Sequence, residues 1–288
     1  PAHPPLTTVV SQAGTDFGAK YGILREIGRG GFSVVYHCKS ITTGASYAVK
    51  IIDLRPLRLR DSFDAMRLRR EVDIMRQLRH PNIVQFEEVF ESPDQLFVVM
   101  EYAPGYELFD AILGRGHFSE ADAMPVFAQV GRALLYLHNK NIIHRDIKPE
   151  NILLLKDPSP ITGGPVAKLL DFGLSKHTGL GSEAKTFVGT PCYLAPEVEF
   201  ASKGTGATYG APADCWSLGA VLYVMLVARF PVFEVDNSSH PPTTRLALPS
   251  ELFRNSSREA KELLRGLMCF DVSKRLTMKQ ALSHPWLA

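Results

Sequence analysis

Apolar positions change their period about a third of the way along the chain. Tyr21–Leu24, Val34–Cys38, Ser46–Ile52, Phe86–Phe90 and Leu96–Tyr102 are short runs rich in β-branched and aromatic residues, and each predicts a strand. Among them, Leu68, Val72, Met75 and Leu78 recur at spacings of four, three and three. That predicts one helix with a single apolar face, ended by His80-Pro81. Glu71 lies beside this face. A carboxylate next to a core stripe is costly without a partner, so a lysine is expected for it elsewhere in the chain. After Tyr102 the helical period dominates, over Glu120–Lys140, Asp214–Arg229, Ser257–Cys269 and Thr277–Ser283. Ile142-Ile143 and Ile152–Leu155 read as short strands within this part. Residues 1–20 carry three prolines, two glycines and no sustained period, and predict a flexible lead-in. The pattern predicts an α+β chain in two lobes: residues 21–101 β-rich with one helix, residues 102–288 mostly helical.

Composition narrows the class. Of 288 residues, 45% are hydrophobic and 22% charged, as expected of a folded globular chain. A net charge of +2 gives no argument for nucleic acid, and no basic-aromatic module is visible. The longest apolar run, Leu218–Ala228, is too short to span a bilayer and predicts a buried helix, so no membrane partner is expected. Cys38, Cys192, Cys215 and Cys269 lack metal-site or disulfide-framework spacing, which fits a reducing compartment, cytoplasmic or nuclear. The chain starts at Pro1 and reads as a piece excised from a longer one, so missing targeting signals carry no weight.

Four segments carry candidate chemistry. Gly28-Arg29-Gly30-Gly31-Phe32-Ser33-Val34-Val35 is a Gly-rich turn between two strands, where missing Cβ atoms let backbone N–H groups approach phosphate oxygens. Taken alone, such a segment is more often an ordinary hairpin turn. Tyr47-Ala48-Val49-Lys50 supplies, in Lys50, the partner that Glu71 requires. His144-Arg145-Asp146-Ile147-Lys148-Pro149-Glu150-Asn151, with Asp171-Phe172-Gly173 twenty residues beyond Asn151, places a candidate base, a cation and two metal-ligand side chains in a short stretch. Phosphoryl transfer needs those parts and little covalent chemistry beyond them. Gly189–Glu197 contains Ala195-Pro196-Glu197.

These motifs resemble those of eukaryotic protein kinases of the serine/threonine type, over about Tyr21 to Trp286. Within that family, Val99–Tyr102, Gly105–Asp110, Asp214-Cys215-Trp216 and His284-Pro285-Trp286 are most similar to the calmodulin-dependent and checkpoint-type group. The resemblance implies the bilobal kinase fold, with a small β-rich N-lobe holding one regulatory helix and a larger, mostly helical C-lobe. It implies ATP and Mg²⁺ as cofactors and Ser/Thr-containing proteins as substrates. Asp146 would orient or accept the hydroxyl proton, Asn151 and Asp171 would hold Mg²⁺, and Lys148 would steady the γ-phosphate. Lys50 would pair with phosphates and with Glu71, and Thr190 would bond Asp146 and Lys148. Ile27, Gly28, Gly30, Val35, Ala48, Met100, Glu101, Ala103, Glu107 and Leu153 would form the nucleotide pocket, with Met100 as gatekeeper. Glu197 would pair with Arg275, and Asp214 would brace the catalytic loop. The rival class is a catalytically inactive scaffold of the same fold. Retention of Lys50, Asp146, Asn151 and Asp171 speaks against it.

The resemblance extends to control and specificity. Arg145 precedes Asp146, and kinases with that arginine often need a phosphate on the activation segment. Thr186 occupies the usual place, with Ser182 as runner-up, and Arg145, Lys176 and Arg67 occupy the receiving positions. An upstream kinase or trans-autophosphorylation would supply the phosphate. Glu107 and Glu150 match acids that receive arginines upstream of the target hydroxyl, while a second such acid is replaced by Val224. The eight arginines of Arg55–Arg79 read as a solvated face or as a docking surface for an acidic partner. Ser33 stands where the Gly-rich pattern has its third glycine, as in calmodulin-dependent kinases. Phe233–Ser256 is shorter than the family norm and holds Pro241, Pro242 and Pro249, so its usual helix is expected to be shortened or distorted. No calmodulin-binding segment is evident before Ala288.

Overall fold

The computed structural model describes residues 17–31, 33–59, 72–156, 164–170, 191–198, 210–236 and 243–288. They fall into two compact units. One comprises the described residues up to His80 and from Val84 to Pro104, the other residues 81–83 and those from Gly105 onward.

The first unit is a five-stranded antiparallel sheet in the order β1-β2-β3-β5-β4. Its strands are β1 Tyr21–Arg29, β2 Ser33–Ser40, β3 Ser46–Asp53, β4 Phe86–Glu91 and β5 Gln95–Glu101. Strand alternation sorts the side chains onto two faces. Ile52, Phe86, Leu96 and Val98 pack with Leu54 and Val72, the latter at the start of the helical residues 72–76. Tyr36, Cys38, Val49, Ile51, Phe97 and Val99 form the opposite cluster.

That second face recruits residues expected to be flexible. Phe17–Lys20 is a helical turn, and Phe17 is fully buried, stacked on Phe97 at 5.0 Å and Tyr21 at 5.5 Å. Burying one aromatic ring contributes about 1.5–3 kcal/mol towards ordering this segment. The Tyr21 hydroxyl and Lys20 ammonium both donate to Glu88, at 2.6 and 2.9 Å, and fasten the turn to β4. Residues 1–16 of the expected lead-in lie outside the described residues.

The second unit is mostly helical: α1 Leu108–Arg115, α2 Glu120–His138, α3 Ala211–Val227, α4 Arg258–Leu267 and α5 Met278–Leu282. A small sheet, β6 Gly105–Glu107, β7 Ile152–Leu155 and β8 Ala167–Leu169, lies beside α1 and α2. The run Leu218–Ala228 forms the C-terminal part of α3 and its C-cap, and the helix is buried from Ala213 to Leu226, as its apolar circumference predicts. Its polar exceptions, Asp214 and Ser217, both make hydrogen bonds. Glu120, at the start of α2, accepts from the Ser257 N–H and hydroxyl and from the Trp286 indole N–H at 2.6–2.7 Å. One carboxylate thus ties α2 to the N-cap of α4 and to the C-terminal turn.

Two expectations are corrected. Ile142-Ile143 is not a strand: the Ile142 N–H bonds the Leu137 carbonyl at 3.0 Å, closing the end of α2 after Asn141 turns at φ 58°. Phe233–Ser256 holds no shortened helix among its described residues. It contributes to a two-stranded ribbon, β9 Val232–Asp236 against β10 Thr243–Ala247, with Phe233 opposite Leu246 and Glu234 bonded to Arg245 at 2.8 Å. The β-branched residues Val232, Val235, Thr243 and Thr244 favour that outcome.

Candidate catalytic site

In the first unit, register places the expected nucleotide residues on one sheet face. Lys50 pairs with Val35 on β2 and Val98 on β5, and Ala48, two residues earlier, pairs with Met100. Lys50 is 6% exposed, an unusual position for an ammonium that requires compensation from its surroundings. Gly28 faces Val35, and a Cβ on Gly28 would meet the Val35 side chain at 3.7 Å. Gly30 closes the hairpin with an N–H bond to the Ser33 carbonyl of 2.8 Å. Ile27 is exposed nearby on β1. The Glu101 N–H donates to the Gln85 carbonyl at 2.8 Å. Met100 packs against the buried cluster of this face, and Ala103 follows β5.

In the second unit, the segment from His144 to Asn151 is pinned from several directions. Asp214, 1% exposed, accepts from the His144 N–H at 2.9 Å and the Arg145 N–H at 2.8 Å. His138 Nε2 adds a third contact to Asp214 at 2.8 Å. Arg145 sits at φ 71°, a left-handed conformation costing about 1–2 kcal/mol for a residue with a Cβ. The bond to Asp214 holds it there. His144 Nε2 lies 2.9 Å from the Leu170 carbonyl, and the Asp146 N–H points at His144 Nδ1 at 3.3 Å. A carbonyl only accepts, so the ring proton is on Nε2 and Nδ1 is the acceptor. The Leu170 N–H in turn bonds the Asn151 carbonyl at 2.8 Å. The chain leading to Asp171 is therefore fastened to this segment through Leu170.

Asp146 is the centre of this arrangement. Its Oδ2 accepts from Asn151 Nδ2 at 2.8 Å and lies 3.2 Å from Lys148 Nζ. Asn151 Nδ2 also donates to the Asp146 carbonyl at 2.7 Å, which settles the amide orientation because that partner is an acceptor. Two consequences follow. Among the described residues Asp146 Oδ1 accepts no hydrogen bond, so it keeps acceptor capacity for a hydroxyl. Asn151 Oδ1 is turned away from Asp146, and a neutral oxygen donor suits Mg²⁺. Lys148 is 5% exposed and Asn151 9%.

Glu107 occupies the N-cap position of α1 at the end of β6, where it pairs with Leu153 of β7. Glu150 lies in the 3₁₀ turn Pro149–Asn151, which packs against β6 and α1. One of its carboxylate oxygens is buried with no hydrogen-bond partner among the described residues. Arg275 forks onto Glu197 at 2.6 and 3.0 Å and also bonds the Cys269 and Pro212 carbonyls. Glu71, Asp171, Thr190, Thr186, Lys176 and Arg67 lie outside the described residues.

Sequence reasoning missed His138 and assigned no task to His144. The available signal was a histidine ending an amphipathic helix six residues before another histidine. Neither residue's partner, Asp214 or Leu170, is local in sequence.

The family model for the protein kinase domain matches residues 21–287. Myosin light chain kinase A of Dictyostelium discoideum is 40% identical over 271 residues, covering 93% of this chain and 88% of that protein. Human calcium/calmodulin-dependent protein kinase type IV is 38% identical over 268 residues, covering 91% and 53%. The crystal structure of Rad53 1–466 in complex with AMP-PNP superposes with a TM-score of 0.73 at 28% identity, covering 98% of this chain and 69% of that one. The chain spans between 36% and 88% of the length of such curated relatives.

Proposed function

The chain belongs to the protein kinase family, in its calmodulin-dependent and checkpoint-kinase-like group, and from that premise we propose that it transfers the γ-phosphate of ATP to serine and threonine hydroxyls of proteins. The observation that carries this reading is Asp146 with one carboxylate oxygen engaged by Lys148 and Asn151 and the other open. A substrate hydroxyl bonded to Oδ1 is oriented for in-line attack and can pass its proton to the carboxylate. Lys148, held beside Oδ2, carries positive charge to where the transferring group becomes more negative. Lys50 does the same for the nucleotide phosphates. Asn151, with Asp171, supplies oxygen donors for Mg²⁺, which when bound neutralises phosphate charge. The inactive-scaffold alternative has no support here, since Lys50, Asp146 and Asn151 are all retained.

The finer reading is arginine-directed and phosphorylation-activated. A buried carboxylate oxygen without a partner on Glu150 favours a cationic substrate side chain, because an unpaired buried acceptor costs about 1–3 kcal/mol. Glu107 adds negative charge on the adjoining β6, where it pairs with the nucleotide residue Leu153. Phosphate on Thr186 satisfies the charge of Arg145, Lys176 and Arg67. The test is an Mg²⁺/ATP assay on an arginine-oriented peptide library. Transfer is expected with wild type, with at least a hundredfold loss in Asp146→Asn, roughly the range for a positioned base. Undiminished activity in Asp146→Asn would remove the assigned base. Equal rates on peptides with alanine for arginine would remove the arginine preference, and an unchanged rate in Thr186→Ala would remove the activation step.

A further inference from the structure

The second unit holds a cavity that the catalytic reading does not use. Its volume is about 230 Å³, and it lies where β6 and β7 meet the end of α1 and the start of α2. Phe118 and Leu154 form its floor, 3% and 2% exposed. Both are held in place. The Phe118 N–H bonds the Met225 carbonyl at 2.7 Å, and a Cβ on Gly105 would strike the Leu154 carbonyl, so glycine is what lets β6 close on β7 here. The rim is polar. Tyr106, Arg115 and Lys156 are exposed around it, and among the described residues none of their side chains makes a hydrogen bond or an ion pair. The Arg115 guanidinium lies over the Phe118 ring at 5.1 Å, a contact that orients it without using its N–H donors. Asp122, the one acid of the lining, is already engaged. It accepts from the Ser119 hydroxyl at 2.8 Å in the first turn of α2, where a helix favours negative charge.

We infer that this cavity docks an extended segment of a partner protein, in which an aspartate or glutamate stands next to a leucine-sized apolar side chain. The size argues for a side chain rather than a whole small molecule, whose sites run to about 300–1,000 Å³. The apolar floor takes the aliphatic group. Two cations without partners, set against one acid that has one, select a carboxylate, and charge-assisted bonds of this kind are about twice as strong as neutral ones. The site is separable from the chemistry. Leu154 pairs with Tyr106, while its neighbour Leu153, of the expected nucleotide pocket, falls on the opposite face of β7. Arg115 and Lys156 belong to neither the catalytic nor the nucleotide residues, so changing them tests docking alone.

The experiment measures binding of the full chain to short fluorescein-labelled peptides with a central leucine flanked by aspartate, asparagine, lysine or phosphoserine. Wild type is expected to bind the aspartate peptides about tenfold more tightly than the asparagine and lysine ones, as two exposed charge pairs allow. Serine in place of the central leucine should weaken binding by about tenfold. The double variant Arg115→Glu/Lys156→Glu should lose the aspartate preference and favour the lysine peptides instead. The docking site is overturned if wild type shows no preference for the aspartate-leucine peptides, or if the double variant keeps the wild-type profile. Tighter binding of the phosphoserine peptides than of the aspartate ones would overturn the carboxylate as ligand. Should the double reversal lower the thermal midpoint, Arg115→Gln/Lys156→Gln carries the comparison. Phosphoryl transfer to an arginine peptide without the acidic segment should be equal in wild type and double variant. No transfer by wild type would overturn the kinase reading, while the binding measurement would still decide on the docking site.

Discussion

Replacing Asp214 by asparagine is the sharpest perturbation of the catalytic loop, because it changes charge without changing size. Asp214 accepts from two backbone N–H groups and lies within hydrogen-bond distance of one imidazole nitrogen, at 2.8–2.9 Å, while 1% exposed. Asparagine keeps one acceptor oxygen. Its amide nitrogen must face either the Arg145 N–H or the pair formed by His144 and His138, donor against donor. At least one bond to a charged acceptor is lost, worth about 1.5–3 kcal/mol, and a buried N–H is left unpaired at about 1–3 kcal/mol more. The expected total is roughly 3–5 kcal/mol. Part of it relaxes into the loop, since Arg145 at φ 71° loses the contact that opposes its strain. Asp146 is the next residue, and a displacement near 1 Å there costs about a hundredfold in rate. Steady-state kinetics should therefore show kcat reduced about a hundredfold, with the KM for ATP changed far less, and urea unfolding should show the stability loss. A kcat within threefold of wild type, or a loss below about 1 kcal/mol, would refute the claim that Asp214 holds the loop.

Three further outcomes can be checked on the purified protein. Arg275→Met keeps an apolar stem over Trp216 but removes the fork onto Glu197, which is expected to cost about 3–5 kcal/mol as a broken buried pair and to lower Tm by roughly 10 °C; a shift under 2 °C, about the effect of 1 kcal/mol or less, would contradict it. Ala228 ends α3 at φ 50° and ψ 32°, so Ala228→Gly should relieve about 1–2 kcal/mol of left-handed strain against about 0.5–1 of added backbone entropy, and raise the urea midpoint slightly rather than lower it. Burial by itself raises the Glu120 carboxyl, but the bonds from Ser257 and Trp286 outweigh it and hold the group below the usual carboxylate range. Its contribution is therefore complete above about pH 4.3 and is lost as pH falls through the depressed folded value, so the stability gap between wild type and Glu120→Gln should be full at about pH 6 and narrow in acid; a gap independent of pH would refute the assignment.

Legibility followed the range of the cause. The strands of the first unit and the long helices of the second announced themselves because burial repeats every two or every 3.6 residues, so each run of residues carries its own evidence. The catalytic segment was legible for a similar reason: Asp146, Lys148 and Asn151 lie within six residues, and the chemistry fixes their spacing. What held those residues in place was far less so. Asp214 is about seventy residues from the backbone it braces, and Leu170 is twenty-six from the histidine that fastens it. Phe17 failed as a prediction for a different cause, since its surroundings in sequence are polar and glycine-containing. Its burial depends on the odd-numbered face of β5, which needs a cover.

The ribbon after α3 shows how a local signal and a resemblance can disagree. Val232-Phe233-Glu234-Val235 and Thr243-Thr244-Arg245-Leu246 carry β-branched and aromatic residues with partial alternation, and prolines stand between them. Read without precedent, that is a hairpin pattern. The kinase resemblance argued for a distorted helix, yet a helix here would have to accommodate Pro241 and Pro242 inside it, at about 3 kcal/mol each. Pairing β9 with β10 avoids that cost, stacks Phe233 on Trp216 at 5.5 Å, and leaves Phe230 beside Tyr193 rather than beneath a helix.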